Sequence, residues 1–205
     1  MLKTNILLAG VGGQGVLTLG LIISRAALEQ GENVIMSEIH GLAQRGGSVT
    51  VEVRIGNFHA PIIPDGDVDL TIGMEPLETM RSLSRAPTGS RVIMSTEKLA
   101  PVSLSIRHEE YPDLRVLTES ISDNFHLGTI DAVSVARKSG SFRAANIAIL
   151  GFAIGTGWLN LSLECTRNQI RTIFSKKSLE INLKALEAGL EMGKSAQQEF
   201  VERLA

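Results

Sequence analysis

The chain has 205 residues, 43% of them hydrophobic and 20% charged, and its formal net charge is −2. This composition predicts one globular domain over residues 1–205 and argues against a strongly basic surface for nucleic acid. The single cysteine, Cys165, cannot build a disulfide, a zinc site or an iron–sulfur cluster within this chain. The most apolar later stretch, 147–159, is too short to cross a membrane, so we expect a cytoplasmic protein.

The chain opens with an apolar run at 6–9 that predicts a buried strand. The glycine-rich sequence GVGGQG follows at 10–15 and predicts a tight turn into a helix over 16–30, which Gly31 ends. A second strand is predicted at 33–36, buried on both faces. These elements form a βαβ unit, for which we expect a right-handed crossover.

A polar, glycine-containing segment, SEIHGLAQRGGS, occupies 37–48 and does not resemble a crossover helix. The alternation over 49–55 predicts a strand with one face exposed to solvent, which carries Glu52 and Arg54. Because this strand follows another strand without an intervening helix, we expect it to pair antiparallel. The prolines at 60–64 limit the next extended segment.

Strands and helices alternate in the remaining sequence. This alternation predicts a three-layer α/β fold with a largely parallel sheet, an antiparallel segment, a Rossmann-like start and a helical carboxyl-terminal part. The helical tail is expected to pack on the sheet or on a partner. Further strands are predicted at 67–73, 91–95, 102–106 and 124–128. Further helices are predicted at 76–84, 112–120, 131–139, 146–157, 165–174 and 179–201.

The GVGGQG sequence fits the dinucleotide-binding pattern Gly-x-Gly-x-x-Gly. Its glycines would let a pyrophosphate approach the backbone at the start of the helix, and Glu38 stands near the position of the acid that binds a ribose. The alternative is a turn that only shapes the fold. Gly13 and Gln14 are unusual in cofactor-binding turns, and a polar loop rather than a helix follows the second strand.

The polar loop provides the second candidate site. Arg45 offers a planar fork for a carboxylate or a phosphate, and Gly46, Gly47 and Ser48 would let a ligand or a partner chain approach the backbone. The alternative is a surface turn with a solvated arginine. We expect both glycine loops to follow the carboxyl ends of adjacent strands, where open α/β sheets place their sites. His40 lies between the loops and is interpreted as solvated or buried in the core rather than as a general base.

No complete catalytic set is recognisable in the sequence. The histidines show no metal-ligand spacing, and there is no Walker, Gly-x-Ser-x-Gly or HExxH pattern. Asn146 stands at the start of a predicted helix and is interpreted as its cap.

Several segments, in this order and spacing, resemble the gamma-type subunits or domains of 2-oxoacid:ferredoxin oxidoreductases. The EIHG and QRGG sequences most resemble the beta subunit of the indolepyruvate-type enzymes. The resemblance extends to NLKALEAGLEMG at 182–193 and so covers nearly the whole chain. The other segments are GVGGQGV at 10–16, SEIHGLAQRGGS at 37–48, PIIPDGDVDL at 61–70, GMEPLE at 73–78 and ANIAILG at 145–151.

The resemblance implies a subunit of an enzyme that oxidatively decarboxylates a 2-oxoacid, here indolepyruvate or another aryl pyruvate, to an acyl-CoA. It implies that a large partner subunit holds thiamine diphosphate and the iron–sulfur clusters, that electrons pass to ferredoxin, and that CoA is a co-substrate. This chain alone is then expected to bind no cofactor and to be inactive. A bare partner surface would allow it to form a homodimer.

The resemblance assigns no catalytic residue, but it implies that both glycine loops face a ligand or the partner. The alternatives are a stand-alone nucleotide-binding protein of the NAD or FAD type and a pure assembly module. The candidate ligand- or partner-facing residues are Gly12, Gly13, Gln14, Gly15, Glu38, His40, Arg45, Gly46, Gly47 and Ser48.

Overall fold

The computed structural model describes residues 3–40 and 46–204, without the side chains of His40, Arg107 and 199–204. Within this part of the chain, a mixed sheet forms the centre of the fold, as the alternating sequence pattern predicts. The strands are β1 (Thr4–Val11), β2 (Val34–His40), β3 (Ser48–Ile55), β4 (Leu70–Gly73), β5 (Arg91–Ser95) and β6 (His126–Ile130).

The strands lie in the order β2-β3-β1-β4-β5-β6. β3 pairs antiparallel with both β1 and β2, whereas β1, β4, β5 and β6 run parallel to one another. The predicted antiparallel segment is therefore confirmed. The expectation that β1 and β2 are adjacent is wrong, because β3 folds back from β2 and its other edge pairs with β1.

Helices cover both faces of this sheet and complete the predicted three layers. α1, α5 and α6 pack on one face together with the inward side chains of β1 and β3, and α2 and α4 pack on the other. The helices of the described residues are α1 (Val16–Glu29), α2 (Pro76–Ser82), α3 (Val102–Arg107), α4 (Leu114–Ser122), α5 (Ala132–Ser139), α6 (Ala145–Gly155), α7 (Leu163–Ile173) and α8 (Lys176–Leu204).

The predicted burial of the second strand on both faces is wrong. β2 lies at the edge of the sheet, where Val34 and Met36 pack against the core only in part and Ile39 is 48% exposed. The insertion of β3 moves β2 from the protected centre of the sheet to its margin.

The predicted solvent-exposed face of β3 is also wrong, because the irregular segment at 57–66 folds over it. Glu52 is fully buried and accepts the N–H of Ile63 at 2.6 Å, and Arg85 forms an ion pair with it. Arg54 donates to the carbonyl oxygens of Ala60 and Ile62 at 3.0 and 2.9 Å. These charges can be buried because each has hydrogen-bonding partners.

The prediction of a strand at 102–106 is wrong, because α3 occupies this segment. Its residues alternate apolar and polar, but Val102 and Ile106 are exposed on one side of the helix and only Leu104 is buried. A run of five residues is too short for its period to separate a strand from a helix.

The carboxyl-terminal helix packs within the fold. α8 lies along α6 and also contacts α5, so α6 is covered by the sheet on one side and by α8 on the other. Throughout residues 3–40 and 46–204, no helix is both long enough and apolar enough to cross a membrane.

Candidate functional site

The turn between β1 and α1 is held in shape by the side chain of Gln14. Its Oε1 accepts the N–H of Val11 at 2.8 Å, and its Nε2 donates to the carbonyl oxygen of Met74 at 3.0 Å. Gln14 therefore joins the end of β1 to the chain that leaves β4. The carboxamide that we predicted to face a ligand or partner is hydrogen-bonded within the turn.

Gly15 is the N-cap residue of α1, and no side-chain hydrogen bond caps the helix there. Gly15 has a φ of +79°, which favours glycine, and a Cβ at this position would lie 2.6 Å from Nδ2 of Asn146. This Nδ2 donates to the carbonyl oxygen of Gly15 at 3.3 Å. The prediction that Asn146 caps its own helix is wrong, because α6 has no side-chain cap and the carboxamide of Asn146 reaches the turn instead.

The two glycine loops are joined through their backbones. The N–H of Gly12 donates to the carbonyl oxygen of Gly47 at 2.8 Å, and the N–H of Gly46 donates to that of Gly12 at 3.3 Å. The antiparallel register of β1 and β3 causes this, because it places Val11 opposite Ser48. Arg45 and the side chain of His40 lie outside the described residues.

A cavity of about 600 Å³, which we call the turn cleft, opens beside the glycine turn. It lies beyond the carboxyl ends of β1, β4 and β5, where α1 leaves for one face of the sheet and α2 for the other. Such switch points are the usual ligand sites of open α/β sheets. Besides 12–15, its lining includes Ser95, Lys98, Arg137, Phe142, Arg143 and Asn146.

The turn cleft contains polar groups that the described residues do not satisfy. Ser95 is 1% and Asn146 4% exposed, yet Oγ of Ser95 and Oδ1 of Asn146 have no hydrogen-bond partner in the described part of the chain. Arg137 and Arg143 are exposed, and neither forms an ion pair with a described carboxylate. Buried polar atoms are usually paired, so this arrangement is typical of a site that a ligand completes.

The other face of the sheet carries two neighbouring cavities of about 300 and 240 Å³, which we call the α2 groove. Residues 46–48 lie at one end of it. Its charges are paired within the chain: Arg81 binds the buried Glu78 at 2.7 Å and Ser103 at 3.1 Å. Arg85 binds Glu52. The two hydrogen-bonded glycine loops therefore open onto chemically different cavities on opposite faces of the sheet.

Glu75 lies between these cavities, two residues after β4, and the sequence patterns assigned it no role. It is fully buried, caps α2 by accepting the N–H of Glu78 at 2.9 Å, and accepts hydrogen bonds from the N–H of Leu99 and the hydroxyl of Tyr111. Burial raises the pKa of Glu75 above its ordinary value, and the hydrogen bond from Tyr111 opposes that shift. Burial and the neighbouring Glu75 raise the pKa of Tyr111.

The structure places Glu38 away from the glycine turn. β3 separates β2 from β1, so Glu38 lies two strand spacings, about 10 Å, from the strand that leads into the turn. An acid that binds a ribose beside such a turn lies on the neighbouring strand. Among the described residues, no group of three or more His, Cys, Asp or Glu side chains is arranged to hold a metal ion.

Comparison with known proteins identifies the family. The family model described as pyruvate ferredoxin/flavodoxin oxidoreductase matches residues 5–192. The chain belongs to this family. It is 37% identical to the indolepyruvate oxidoreductase subunit IorB of Archaeoglobus fulgidus, over 98% of this chain and 100% of that protein. It is 38% identical to the subunit of the same name from Methanothermobacter thermautotrophicus, over 90% and 95%.

Solved structures of oxoacid oxidoreductases have the same fold. The pyruvate oxidoreductase subunit PORC of Thermotoga maritima has a TM-score of 0.70 at 19% identity, over 92% of this chain and 96% of that chain. The 2-oxoglutarate:ferredoxin oxidoreductase of Magnetococcus marinus has a TM-score of 0.71 at 17% identity, over 94% of this chain and 31% of that chain. The family model and the IorB relatives confirm the resemblance that was inferred from several sequence segments.

Proposed function

We propose that the chain is the small, non-cofactor-bearing subunit of a 2-oxoacid:ferredoxin oxidoreductase that converts indolepyruvate or another aryl pyruvate to an acyl-CoA. The observation that supports this most is the 37% identity to IorB of Archaeoglobus fulgidus, which extends over both chains almost completely. The fold of a gamma subunit supports the same assignment.

The composition of the chain supports a division of labour with a large partner subunit. Cys165 is the only cysteine, so the chain cannot supply the thiolates of an iron–sulfur cluster. Thiamine diphosphate and the clusters then belong to the partner, which passes electrons to ferredoxin in the cytoplasm. The isolated chain is inactive and can pair with itself through its uncovered partner surface.

The paired glycine loops are the part of this chain that we assign to the partner or to CoA. Backbone hydrogen bonds between Gly12 and both Gly46 and Gly47 hold the loops together as one edge. Gly13 is exposed on this edge, and Ser48 begins β3 beside it. A rigid edge with little side-chain bulk allows a partner backbone or an anionic group of CoA to approach closely.

Co-expression tests this proposal. The chain is produced together with a large thiamine diphosphate- and iron–sulfur-containing subunit from the same organism, and the complex is purified through a tag on the small chain. We expect co-purification and a CoA-dependent oxidation of aryl pyruvates that neither chain performs alone. Failure of the chain to associate with any such subunit would contradict the proposal.

Arg45→Ala separates contact with CoA or substrate from a role in assembly only. If Arg45 binds an anion in the complex, the variant should assemble while turnover falls by the equivalent of about 2 to 4 kcal/mol. If the loop only fits against the partner, assembly itself should fail. Arg25→Ala, an exposed arginine on α1, is the matched control and should assemble and turn over normally.

A further inference from the structure

We infer that the chain forms a dimer in which the β2 strands of two copies pair antiparallel about Ser37, so that the two sheets become one. β2 spans Val34–His40 and lies at the margin of the sheet. β3 is the only strand that pairs with it in the described part of the chain. This margin runs along the side of the sheet, whereas the paired glycine loops lie at the end of β1. The inference therefore does not rest on the proposed function.

The backbone of β2 directs hydrogen-bonding groups away from the sheet at alternate residues. The N–H of Gly56 donates to the carbonyl oxygen of Asn33 at 2.8 Å, and the next pair in the register is Val34 opposite Ile55. Pairs along an antiparallel ladder alternate between hydrogen-bonded and non-hydrogen-bonded. Because Asn33 is bonded to Gly56, the odd-numbered residues of β2 direct their N–H and C=O groups toward β3. The even-numbered residues direct theirs outward.

β2 lacks the features that usually prevent an edge strand from pairing. Such strands are typically very short, or they carry proline, lysine or a bulge. β2 has seven residues with neither proline nor lysine, and its register against β3 runs without interruption from Val34 to His40. Four of its side chains are apolar, and that of Ile39 is 48% exposed. An unprotected, largely apolar edge favours another strand as its occupant.

The sequence of β2 is complementary to itself in one antiparallel register. With Ser37 opposite Ser37 of the second copy, Ile35 lies opposite Ile39. Met36 then lies opposite Glu38, and each pair of outward-directed, even-numbered residues can exchange two hydrogen bonds. Ile35 and Ile39 occupy a non-hydrogen-bonded pair, in which side chains approach most closely. A second copy of this chain therefore satisfies both the backbone and the exposed apolar side chain of β2, through a two-fold contact.

Other registers fit less well. A shift by one residue would place an outward-directed residue opposite an inward-directed one, so the ladder would not form. A shift by two residues in one direction would place Glu38 opposite Glu38, and like charges directly opposite each other destabilise a sheet. A shift by two in the other direction would place Ile39 opposite Asn33, which offers its exposed side chain no apolar partner. The register about Ser37 avoids all of these conflicts.

Sedimentation equilibrium of the full 205-residue chain tests the inference. We expect a mass of twice 22.0 kDa at about 100 µM that falls toward 22.0 kDa on dilution. Ile39→Lys should weaken the dimer about tenfold or more, because lysine on an edge strand opposes pairing. The matched control is Val116→Lys on α4, which contacts the strand at the opposite edge, β6. The side chain of Val116 is 52% exposed, and its replacement should leave the mass unchanged.

Two further variants test the backbone pairing and the register. Met36→Pro removes an outward N–H and should keep the hydrogen bonds to β3, so we expect a monomer with the circular dichroism of the wild type. Ser37→Cys in a Cys165→Ser background should give a disulfide-linked dimer on mild oxidation, because the two residues face each other across the two-fold axis. Ser122→Cys, at an exposed position on α4, is the control and should not cross-link.

The outcomes that contradict the inference are distinct. A mass of 22.0 kDa at every concentration would overturn it and would favour a strand of another chain as the occupant of the edge. A dimer that Ile39→Lys leaves intact would also overturn it, whether or not Met36→Pro folds, because another surface would then join the copies. A dimer in which Ser37→Cys does not cross-link would overturn the register. Because the chain is measured alone, these outcomes are independent of whether it assembles with a large subunit.

Discussion

The turn cleft and the α2 groove lie beside the same pair of hydrogen-bonded glycine loops, but their charges are arranged differently. In the α2 groove, Arg81 is bound to Glu78, and Arg85 is bound to Glu52 and Asp65. In the turn cleft, Arg137 and Arg143 form no ion pair with the described residues.

This difference separates charges that hold the fold from charges that are available to a ligand. A buried carboxylate such as Glu52 is tolerated because a cation and an N–H satisfy it, so removing the cation should destabilise the fold. An exposed guanidinium without a partner contributes little to stability, and its removal should affect binding instead. Cavity volume alone would not distinguish the two regions.

The largest expected effect is a loss of stability when an ion pair of the α2 groove is broken. Arg85→Met leaves the fully buried Glu52 without its cation, and we expect the free energy of unfolding to fall by about 3 kcal/mol. Urea denaturation measures this change. The control is Arg143→Gln in the cleft, for which we expect a change within about 0.5 kcal/mol. Equal losses in the two variants would remove the distinction between the regions.

The second effect concerns the glycine turn itself. Gly15→Ala should destabilise the chain by about 2 kcal/mol, because alanine is strained at a φ of +79° and its Cβ would displace Asn146. Gly13→Ala, with a φ of +107° and no atom within 4 Å of the new Cβ, carries only the backbone strain and should cost about 1 kcal/mol. Urea midpoints that rank the two variants in the opposite order would show that Asn146 does not brace the turn.

The third effect is a pH dependence from Glu75, which lies between the two regions. Burial raises the pKa of Glu75 in the folded state above the ordinary value of 4.5. The protonated carboxyl therefore makes its full contribution to the free energy of unfolding below pH 4.5, and this contribution is lost as the pH rises through the raised pKa. The slope cannot exceed about 1.4 kcal/mol per pH unit.

Glu75→Gln should lack this decline when urea unfolding is measured from about pH 4 to pH 7. Glu164→Gln, at an exposed position on α7, is the control and should follow the wild-type curve. Parallel curves for the wild type and Glu75→Gln would mean that the buried carboxyl does not titrate in this window.

The smallest expected effect is that of Ser95→Ala on stability. Because its buried hydroxyl has no partner in the described part of the chain, removing it should change the free energy of unfolding by less than about 0.5 kcal/mol. A loss above about 1 kcal/mol in urea denaturation would indicate that the hydroxyl is paired within the fold and is not available to a ligand.

Local sequence patterns predicted most of the helices and strands, because the spacing of apolar residues within an element depends only on residues close in sequence. The apolar period of α1 places Leu19, Ile22 and Ala26 on one buried face, and β5 was predicted with the bounds observed. Alternation in β3 identified its two faces but not the segment at 57–66 that covers one of them. The burial of Glu52 depends on that segment, so the pattern within β3 does not predict it.

Only the part of the candidate site that has a local sequence pattern could be predicted. The glycine loops have a local signature, and the structure brings them together. Asn146 contacts Gly15 across 131 residues of sequence, and Ser95 becomes a cleft residue only because β5 ends beside the turn. The interpretation of Asn146 as a helix cap used only its neighbours in sequence. An asparagine in an otherwise apolar, buried helix was the signal that would have marked it.

The central claim is that a ligand binds in the turn cleft and not in the α2 groove, and backbone amide NMR of the full chain tests both regions at once. Addition of CoA should shift the amide signals of Gly13, Gly15 and the first turn of α1, and leave those of Glu78 and Arg81 unchanged. Shifts confined to the α2 residues, or no shifts at a high concentration of CoA, would contradict the claim.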